Sequence, residues 1–429
     1  MLHPLELNGD FQYALDLIER TDKSVFITGR AGTGKSTLLR LFRRTTRKKY
    51  VVLAPTGIAA LNVGGQTIHS FFRFPPKPIP RTQLRKIYPM RKLYKRLEVL
   101  IIDEVSMVRA DMIDNIDHFL RLNRDDRRPF GGVQVVFFGD LFQLPPIVAT
   151  DVERHLMDLN YDSPYFFSAE VFQQSSLELE MLELRKVYRQ KERHFLRLLE
   201  TVRLNRADYD DLADLNVRYD PNAEPGNYTI TISARNAQVK QTNRRELDRL
   251  DAGSFLFPAE IEGDFNPLLY PTESTLTLKQ GAQVMFVKND PEGEFVNGTI
   301  GKVMELGKTL IRVKTLDDER TIEVAPAEWQ IQRYGLSKEN PDEIVSEVVG
   351  TFTQYPLKLA WAVTIHKSQG QTFDRVIIDL GRGAFEHGQT YVALSRCRTL
   401  DGITLRQKLR LSDIQVDERV VEFYESNFW

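Results

Sequence analysis

The chain has a single cysteine, Cys397, in 429 residues. One thiol can neither close an intramolecular disulfide nor build a cysteine-based zinc cluster. No charge of one sign dominates: 58 Lys and Arg stand against 59 Asp and Glu, a formal net charge of -1. That balance excludes a histone-like coat held to nucleic acid by bulk attraction, but it leaves room for a local basic track. No apolar run approaches the ~20 residues that a membrane span needs. The opening residues lack a basic segment followed by an apolar one, the mark of a secretory signal. A cytoplasmic protein with no membrane partner is the expectation. No repeat of solenoid length is present. What is present suits folded cores: 42% hydrophobic and 27% charged residues, over a length of roughly three domains at about 150 residues each.

The strongest local signal lies near the start. Ser24-Val25-Phe26-Ile27-Thr28 is a short β-prone run, GRAGTGKS follows at residues 29–36, and Thr37 to Phe42 reads as a helix. This is a phosphate loop in the strand–loop–helix context that the motif requires. Gly29, Gly32 and Gly34 permit positive φ, so the backbone N–H groups of Ala31, Gly32, Thr33 and Gly34 can approach phosphates. The helix start at Lys35, Ser36 and Thr37 adds a favourable dipole. Lys35 reaches the β- and γ-phosphates, and the Ser36 hydroxyl is a ligand for Mg²⁺. Val99 to Ile102 is a continuous apolar run, as in a strand buried on both faces of a parallel sheet, and it ends in Asp103-Glu104. Asp103 is placed to hold Mg²⁺ and Glu104 to polarise an attacking water. A second such strand, Val135 to Phe138, leads to Gly139-Asp140 and then Gln143. A glutamine at that edge can sense a γ-phosphate.

Eight stretches together resemble a known family. They are GRAGTGKST at 29–37, APTGIAA at 54–60, TIHSFF at 67–72, LIIDEVSM at 100–107, FGDLFQLPP at 138–146, LRKVYRQ at 184–190, TIHKSQGQTFDRV at 364–376 and YVALSRCR at 391–398. Their order and spacing resemble superfamily 1B DNA helicases, and DNIDHFLRLNRDDRRPFGG at 114–132 is similar to the signature of the petite-integration-frequency (PIF) family. The resemblance implies an α/β fold with two RecA-like P-loop cores clamping ATP, a small wedge-bearing insert in the first core and an SH3-like β-barrel insert in the second. It implies 5′→3′ translocation on single-stranded DNA and unwinding of 5′-tailed or forked duplex. By position, Arg189 and Arg396 resemble the two arginines that the second core brings to the γ-phosphate, and Gln12 the adenine-reading glutamine. Thr56, His69, Thr364, His366, Lys367 and Ser368 match residues that touch or couple to the DNA strand. Gly370 brings backbone close to phosphate or to the other core.

Between residues 73 and 96 lie nine basic residues and no acidic one, with four prolines at 75–80. Prolines at this density stiffen a spacer, and a bare basic run attracts a phosphate backbone. Arg85, Lys86, Arg91 and Lys92 are the DNA-contact candidates. Phe71, Phe72, Phe74 and Tyr88 offer rings that could stack on bases, but core burial is the expected place of Phe71 and Phe72. Residues 208–224 are locally acidic and fit no calcium loop. Residues 283–353 alternate β-prone runs with turns, including the hairpin signal Asn297-Gly298.

The expected organisation is a first core over 1–188 with its insert at 73–97, a second core over 189–283 and 354–429, and the barrel over 284–353. The expected function is a DNA-stimulated ATP hydrolase and helicase acting in genome maintenance, using ATP and Mg²⁺, as a monomer in isolation. Competing readings are a P-loop kinase, a nucleic-acid-binding module with a vestigial ATPase, and a RecD-like helicase.

Overall fold

In the computed structural model the described residues are 8–75, 77–148, 150–174, 177–226, 228–315 and 320–428. The leading residues read above for a secretory signal, and Pro76 of the proline stretch, fall outside them.

The first core is built on β1 (Ser24–Gly29), β2 (Tyr50–Ala54), β3 (Gln66–Thr67), β4 (Val99–Ile102), β5 (Gln134–Phe138) and β6 (Leu179–Leu184). These six pair in the order β3-β2-β4-β5-β1-β6, every pairing parallel. Its helices are α1 (Gly9–Arg20), α2 (Lys35–Thr45), α3 (Gly57–Val63), α4 (Ile68–Phe72), α5 (Arg91–Arg96), α6 (Ala110–Arg124) and α7 (Asp151–Asn160). All residues of β1, β4 and β5 are buried, because helices cover both faces of a parallel sheet. On α1, Phe11, Ala14, Leu17 and Ile18 form the buried stripe, and the Asn8 side chain caps the start by accepting from the Phe11 N–H at 2.8 Å. Parallel pairing puts the carboxyl ends of β1, β4 and β5 on one edge, where the phosphate loop, Asp103 and Asp140 meet.

The second core follows with α8 (Arg193–Arg203), α9 (Tyr209–Asn216), β7 (Ile230–Ser233) and α10 (Asn236–Asp248). The chain then leaves it for ten strands: β8 (Ser254–Pro258), β9 (Glu260–Gly263), β10 (Thr275–Lys279), β11 (Gln283–Phe286), β12 (Ile300–Leu306), β13 (Ile311–Thr315), β14 (Thr321–Glu323), β15 (Ala327–Leu336), β16 (Ile344–Gln354) and β17 (Leu357–Leu359). These pair antiparallel in sheets of five (β14-β13-β12-β11-β17), three (β15-β16-β9) and two (β10-β8) strands. The core resumes with β18 (Ala362–Thr364), β19 (Val376–Asp379), α11 (Gln389–Leu394), β20 (Ile403–Leu405) and α12 (Glu418–Phe428), and its parallel sheet runs β18-β7-β19-β20.

The antiparallel region therefore begins at Ser254 and ends at Leu359, wider than the expected 284–353. Its first strand carries Phe255-Leu256-Phe257 in a row, and periodicity does not separate such a run from a buried core strand. Asn297-Gly298 does lie in the β11–β12 connection, with Gly298 at φ +99°. The long β15–β16 hairpin leans on the first core. The Tyr334 hydroxyl accepts from the Val52 N–H at 3.1 Å, and the Tyr334 N–H donates to Gln66 at 3.2 Å.

Candidate functional site

The phosphate loop joins β1 to α2, and Gly34, at φ +92°, starts the helix at Lys35. It forms one wall of a cleft of about 1010 Å³ between the two cores. Ala31 to Thr37, Glu104 and Gln143 line the cleft from the first core, and Arg189, Gly370 and Arg396 from the second. The Lys35 ammonium donates to the Gly29 carbonyl at 2.6 Å and the Arg30 carbonyl at 3.3 Å. Burial lowers its pKa, against the opposing pull of Asp140, Glu104 and Asp103. Gly29 thus sits behind the loop as an anchor. Gly32 is required where it stands. Its φ is +86°, and a Cβ there would come within 2.5 Å of the Arg189 Cβ. The Tyr188 N–H donates to the Gly32 carbonyl at 2.9 Å, pinning the arginine segment to the loop.

The acids stand at the end of β4. Burial, then the charge of Glu104, push the Asp103 carboxyl up to about 7. Burial likewise raises Glu104, countered by Lys35 and Arg396. Glu104 adopts a left-handed backbone conformation, φ 51°, rare for a non-glycine residue and frequent at functional sites. No cluster of three or more His, Cys, Asp or Glu among the described residues makes an all-protein metal cage. One carboxylate and one hydroxyl, Asp103 and Ser36, are instead the sparse oxygen set that suits Mg²⁺ completed by phosphates and water. Gln143 is buried, donates to Asp140 Oδ2 at 3.2 Å and accepts from Gln369 of the second core at 3.5 Å.

Two guanidiniums face the loop. Arg396 is 1% exposed and donates to the Val392 carbonyl at 2.9 Å and the Ser395 hydroxyl at 2.8 Å. Arg189 donates to the Ser395 carbonyl at 3.1 Å. Burial lowers both pKa values, Arg189 to about 9 and Arg396 to about 10, and the charge of Arg396 bears further on Arg189. Among the described residues neither is ion-paired to a carboxylate. Glu104 and Asp140 oppose that shift at Arg396 from a distance, so these cations are only partly balanced and a polyphosphate would add counter-charge.

Other expected site residues divide. Gln12 is exposed on α1 and donates to Asp16 at 3.2 Å; its neighbour Phe11 lines the cleft instead, its ring 2.9 Å from a Cβ built on Gly34. Thr56 and Lys367 are exposed. His69 is half-buried, and burial with the Arg109 charge lowers its pKa. His366 lies 3.3 Å from Glu386. Thr364 and Ser368 turn inward: Thr364 accepts from the Lys367 N–H at 3.2 Å and Ser368 donates to the Ile365 carbonyl at 2.7 Å. Their hydroxyls shape the loop that presents His366 and Lys367.

The basic insert is not bare. Lys86, Arg91 and Lys95 converge on Asp125, Lys86 at 2.8 Å and Lys95 at 3.1 Å. Arg81 pairs with Asp114 at 3.0 Å and Glu170 at 2.8 Å. Arg85 donates to the Leu84 carbonyl at 3.0 Å, and Lys92 is exposed. Phe71, Phe72 and Phe74 pack with Tyr94 and Phe119 in a buried cluster, ring centroids 4.9–6.3 Å apart. Tyr88, 73% exposed, is the one of the four stacking candidates left for a base.

Sequence reading left Asp140 without a role and missed Phe11. Asp140 follows a buried strand as Asp103 does, and that parallel was the available signal. Nothing in the local pattern marked Phe11, because an apolar residue on an amphipathic helix reads as core.

A family profile described as PIF1-like helicase matches residues 7–211. The chain is 32% identical to the ATP-dependent DNA helicase Pif1 of Bdellovibrio bacteriovorus, over 99% of this chain and 93% of that protein. It spans about three fifths of the length of the PIF1 helicases of Emericella nidulans and Homo sapiens that it matches. Bacteroides sp. Pif1 in complex with ADP-AlF4 is 38% identical and superposes with a TM-score of 0.92, over 99% of this chain and 98% of that one. Bacteroides Pif1 bound to ssDNA, 39% identical over 99% and 97% of the two chains, gives 0.68. Among the described residues no helix is long and apolar enough to cross a membrane.

Proposed function

The chain belongs to the PIF1-like helicase family, and from that premise we propose that it is an ATP-dependent DNA helicase, translocating 5′→3′ on single-stranded DNA and unwinding 5′-tailed or forked duplex in genome maintenance. Family membership sets aside the kinase and RecD-like readings. The observation that carries the proposal is the pair Arg189 and Arg396, which line the cleft opposite the phosphate loop with no carboxylate ion-paired to either among the described residues. A helicase needs a cleft that closes on nucleotide and opens after hydrolysis, and charge supplied from across it couples the two.

In this reading Lys35 leaves the Gly29 carbonyl for the β- and γ-phosphates. Mg²⁺, held by Ser36 and Asp103, would neutralise charge on those phosphates. Glu104 accepts the proton of the attacking water, a task suited to a carboxylate made more basic by burial. Arg189 and Arg396 stabilise charge developing on the γ-phosphoryl group. Gln143 reports the outcome to Gln369 and so to the loop that carries His366 and Lys367. Thr56, His69, His366 and Lys367 contact the strand directly. Phe11 replaces Gln12 as the residue against the base. The antiparallel region is an SH3-like insert over the duplex side, and the free chain is a monomer. The lower TM-score with DNA-bound than with nucleotide-bound Bacteroides Pif1 supports a rearrangement of domains on DNA.

Unwinding of a 5′-tailed and a 3′-tailed duplex by the full chain tests the proposal. ATP-dependent unwinding of the 5′-tailed duplex alone is the expected result. Equal unwinding of both overturns the polarity, and none of either overturns the helicase reading.

A further inference from the structure

We propose that Tyr391 is a positioning residue that ties the second core to the phosphate loop and, through Asp140, sets the state of Gln143. This rests on the helicase reading and adds an inter-core relay to it.

Tyr391 belongs to α11 of the second core, yet its hydroxyl is spent on the first. It accepts from the Ala31 N–H of the phosphate loop at 3.1 Å and donates to Asp140 Oδ2 at 3.3 Å. The same Asp140 oxygen accepts from Gln143 at 3.2 Å. Thus one hydroxyl bridges the loop that holds phosphate and the carboxylate that orients the glutamine. A phenol suits the task because it donates and accepts at once. All three groups are buried, at 3% (Tyr391), 1% (Asp140) and 8% (Gln143) exposure, so water does not substitute freely when the bridge breaks.

The far side of Asp140 is also held from the second core. Arg203, wholly buried, lies 3.5 Å from Asp140 Oδ1, with its guanidinium between the rings of Phe142 at 4.3 Å and Tyr424 at 4.8 Å. Its Nε and Nη1 have no hydrogen-bond partner, which makes Asp140 its principal compensation. Arg203 also approaches Glu200 at 3.6 Å, and Glu200 pairs with Arg30 of the phosphate loop at 2.9 Å. The helix that carries Tyr391 has no slack against the glutamine motif. Gly388, at its N-terminus, is so close that a Cβ there would meet the Gln143 carbonyl at 2.5 Å. Separation of the cores therefore withdraws both the Tyr391 hydroxyl and the Arg203 guanidinium, frees the Ala31 N–H and leaves Asp140 to Gln143. Closure restores the bridge. Nucleotide state and glutamine position then change together.

The test is Tyr391→Phe, which keeps the ring and removes only the bridge, with Asp140→Asn as a second variant that keeps an acceptor for the hydroxyl. ATP hydrolysis at saturating single-stranded DNA and the Kd for that DNA, with and without a non-hydrolysable ATP analogue, are measured, with thermal melting as a check on folding. For Tyr391→Phe we expect kcat to fall about tenfold with KM for ATP changed less than about twofold, the signature of lost positioning rather than lost binding. The analogue-induced change in DNA Kd should flatten, and the double variant should cost less than the sum of the two singles. Wild-type kcat with a wild-type analogue response, or strict additivity, overturns the proposal. Lys35→Ala run in parallel separates the two levels. If it is inactive while Tyr391→Phe is normal, only the relay falls; if it hydrolyses ATP normally, the underlying reading falls.

Discussion

In the cleft between the cores Arg189 and Arg396 lie together with no carboxylate ion-paired to either among the described residues, whereas in the basic insert Lys86, Arg91 and Lys95 all share one, Asp125. The sequence shows the opposite picture: two scattered arginines, and a dense cationic run with no acidic residue inside it. Folding reverses the roles. The cleft keeps its guanidiniums buried and without ion pairs among the described residues, a state that a ligand of the opposite sign would stabilise. The insert spends its charges on an exposed ion-pair cluster. Exposed pairs contribute only ~0–1 kcal/mol each, so a phosphate can take the place of Asp125 at little cost. Three cations against one carboxylate also leave the cluster net positive. In the proposed function the first region holds one polyanion in one geometry, and the second tolerates a sliding backbone.

The sharpest way to break this contrast is at Lys35. Lys35→Ala should reduce ATP hydrolysis more than about 10³-fold while leaving single-stranded DNA binding intact, as read by steady-state hydrolysis and fluorescence anisotropy. Arg396→Ala or Arg189→Ala comes next, each lowering DNA-stimulated kcat by roughly 10³-fold, the lower end for arginine fingers, with the basic insert and its DNA contacts untouched. The acidic side of the cleft predicts a pH effect. Because the Asp103 carboxyl is raised to about 7, it holds a proton below that pH in the metal-free protein, and cation binding must displace it. Affinity for Mg²⁺ with nucleotide should therefore rise with pH by on the order of tenfold between pH 6 and 8 and then level off, measured with a fluorescent ATP analogue. The smallest effects belong to the insert. Neutralising Arg85, Lys86, Arg91 and Lys92 together should weaken DNA binding and flatten its salt dependence. Asp125→Asn, which keeps the left-handed helix cap at φ 55°, should tighten binding at low salt by roughly two- to fivefold.

The nucleotide half of the site was legible because its chemistry is local. A phosphate loop and two strand-end acids need no partner from elsewhere in the chain to be recognised, and the buried runs of β1, β4 and β5 carried the parallel sheet with them. The DNA half was less legible. Whether Thr364 and Ser368 face outward or brace their own loop depends on a tight turn that the motif does not describe. Whether Lys86 and Arg91 are free depends on Asp125, which lies beyond the insert in sequence. The start of the antiparallel region was misplaced because Ser254 to Pro258 shows no alternation. Tyr391 lay inside a quoted motif, yet its bridge to Ala31 and Asp140 exists only once two cores, distant in sequence, are brought face to face.

The most direct test of the account is steady-state ATP hydrolysis by the full chain with and without single-stranded DNA. Arginines supplied from across a cleft predict slow hydrolysis alone and strong stimulation by DNA, with that stimulation abolished in Arg396→Ala. Hydrolysis that is the same with and without DNA, or stimulation that survives Arg396→Ala, would contradict it.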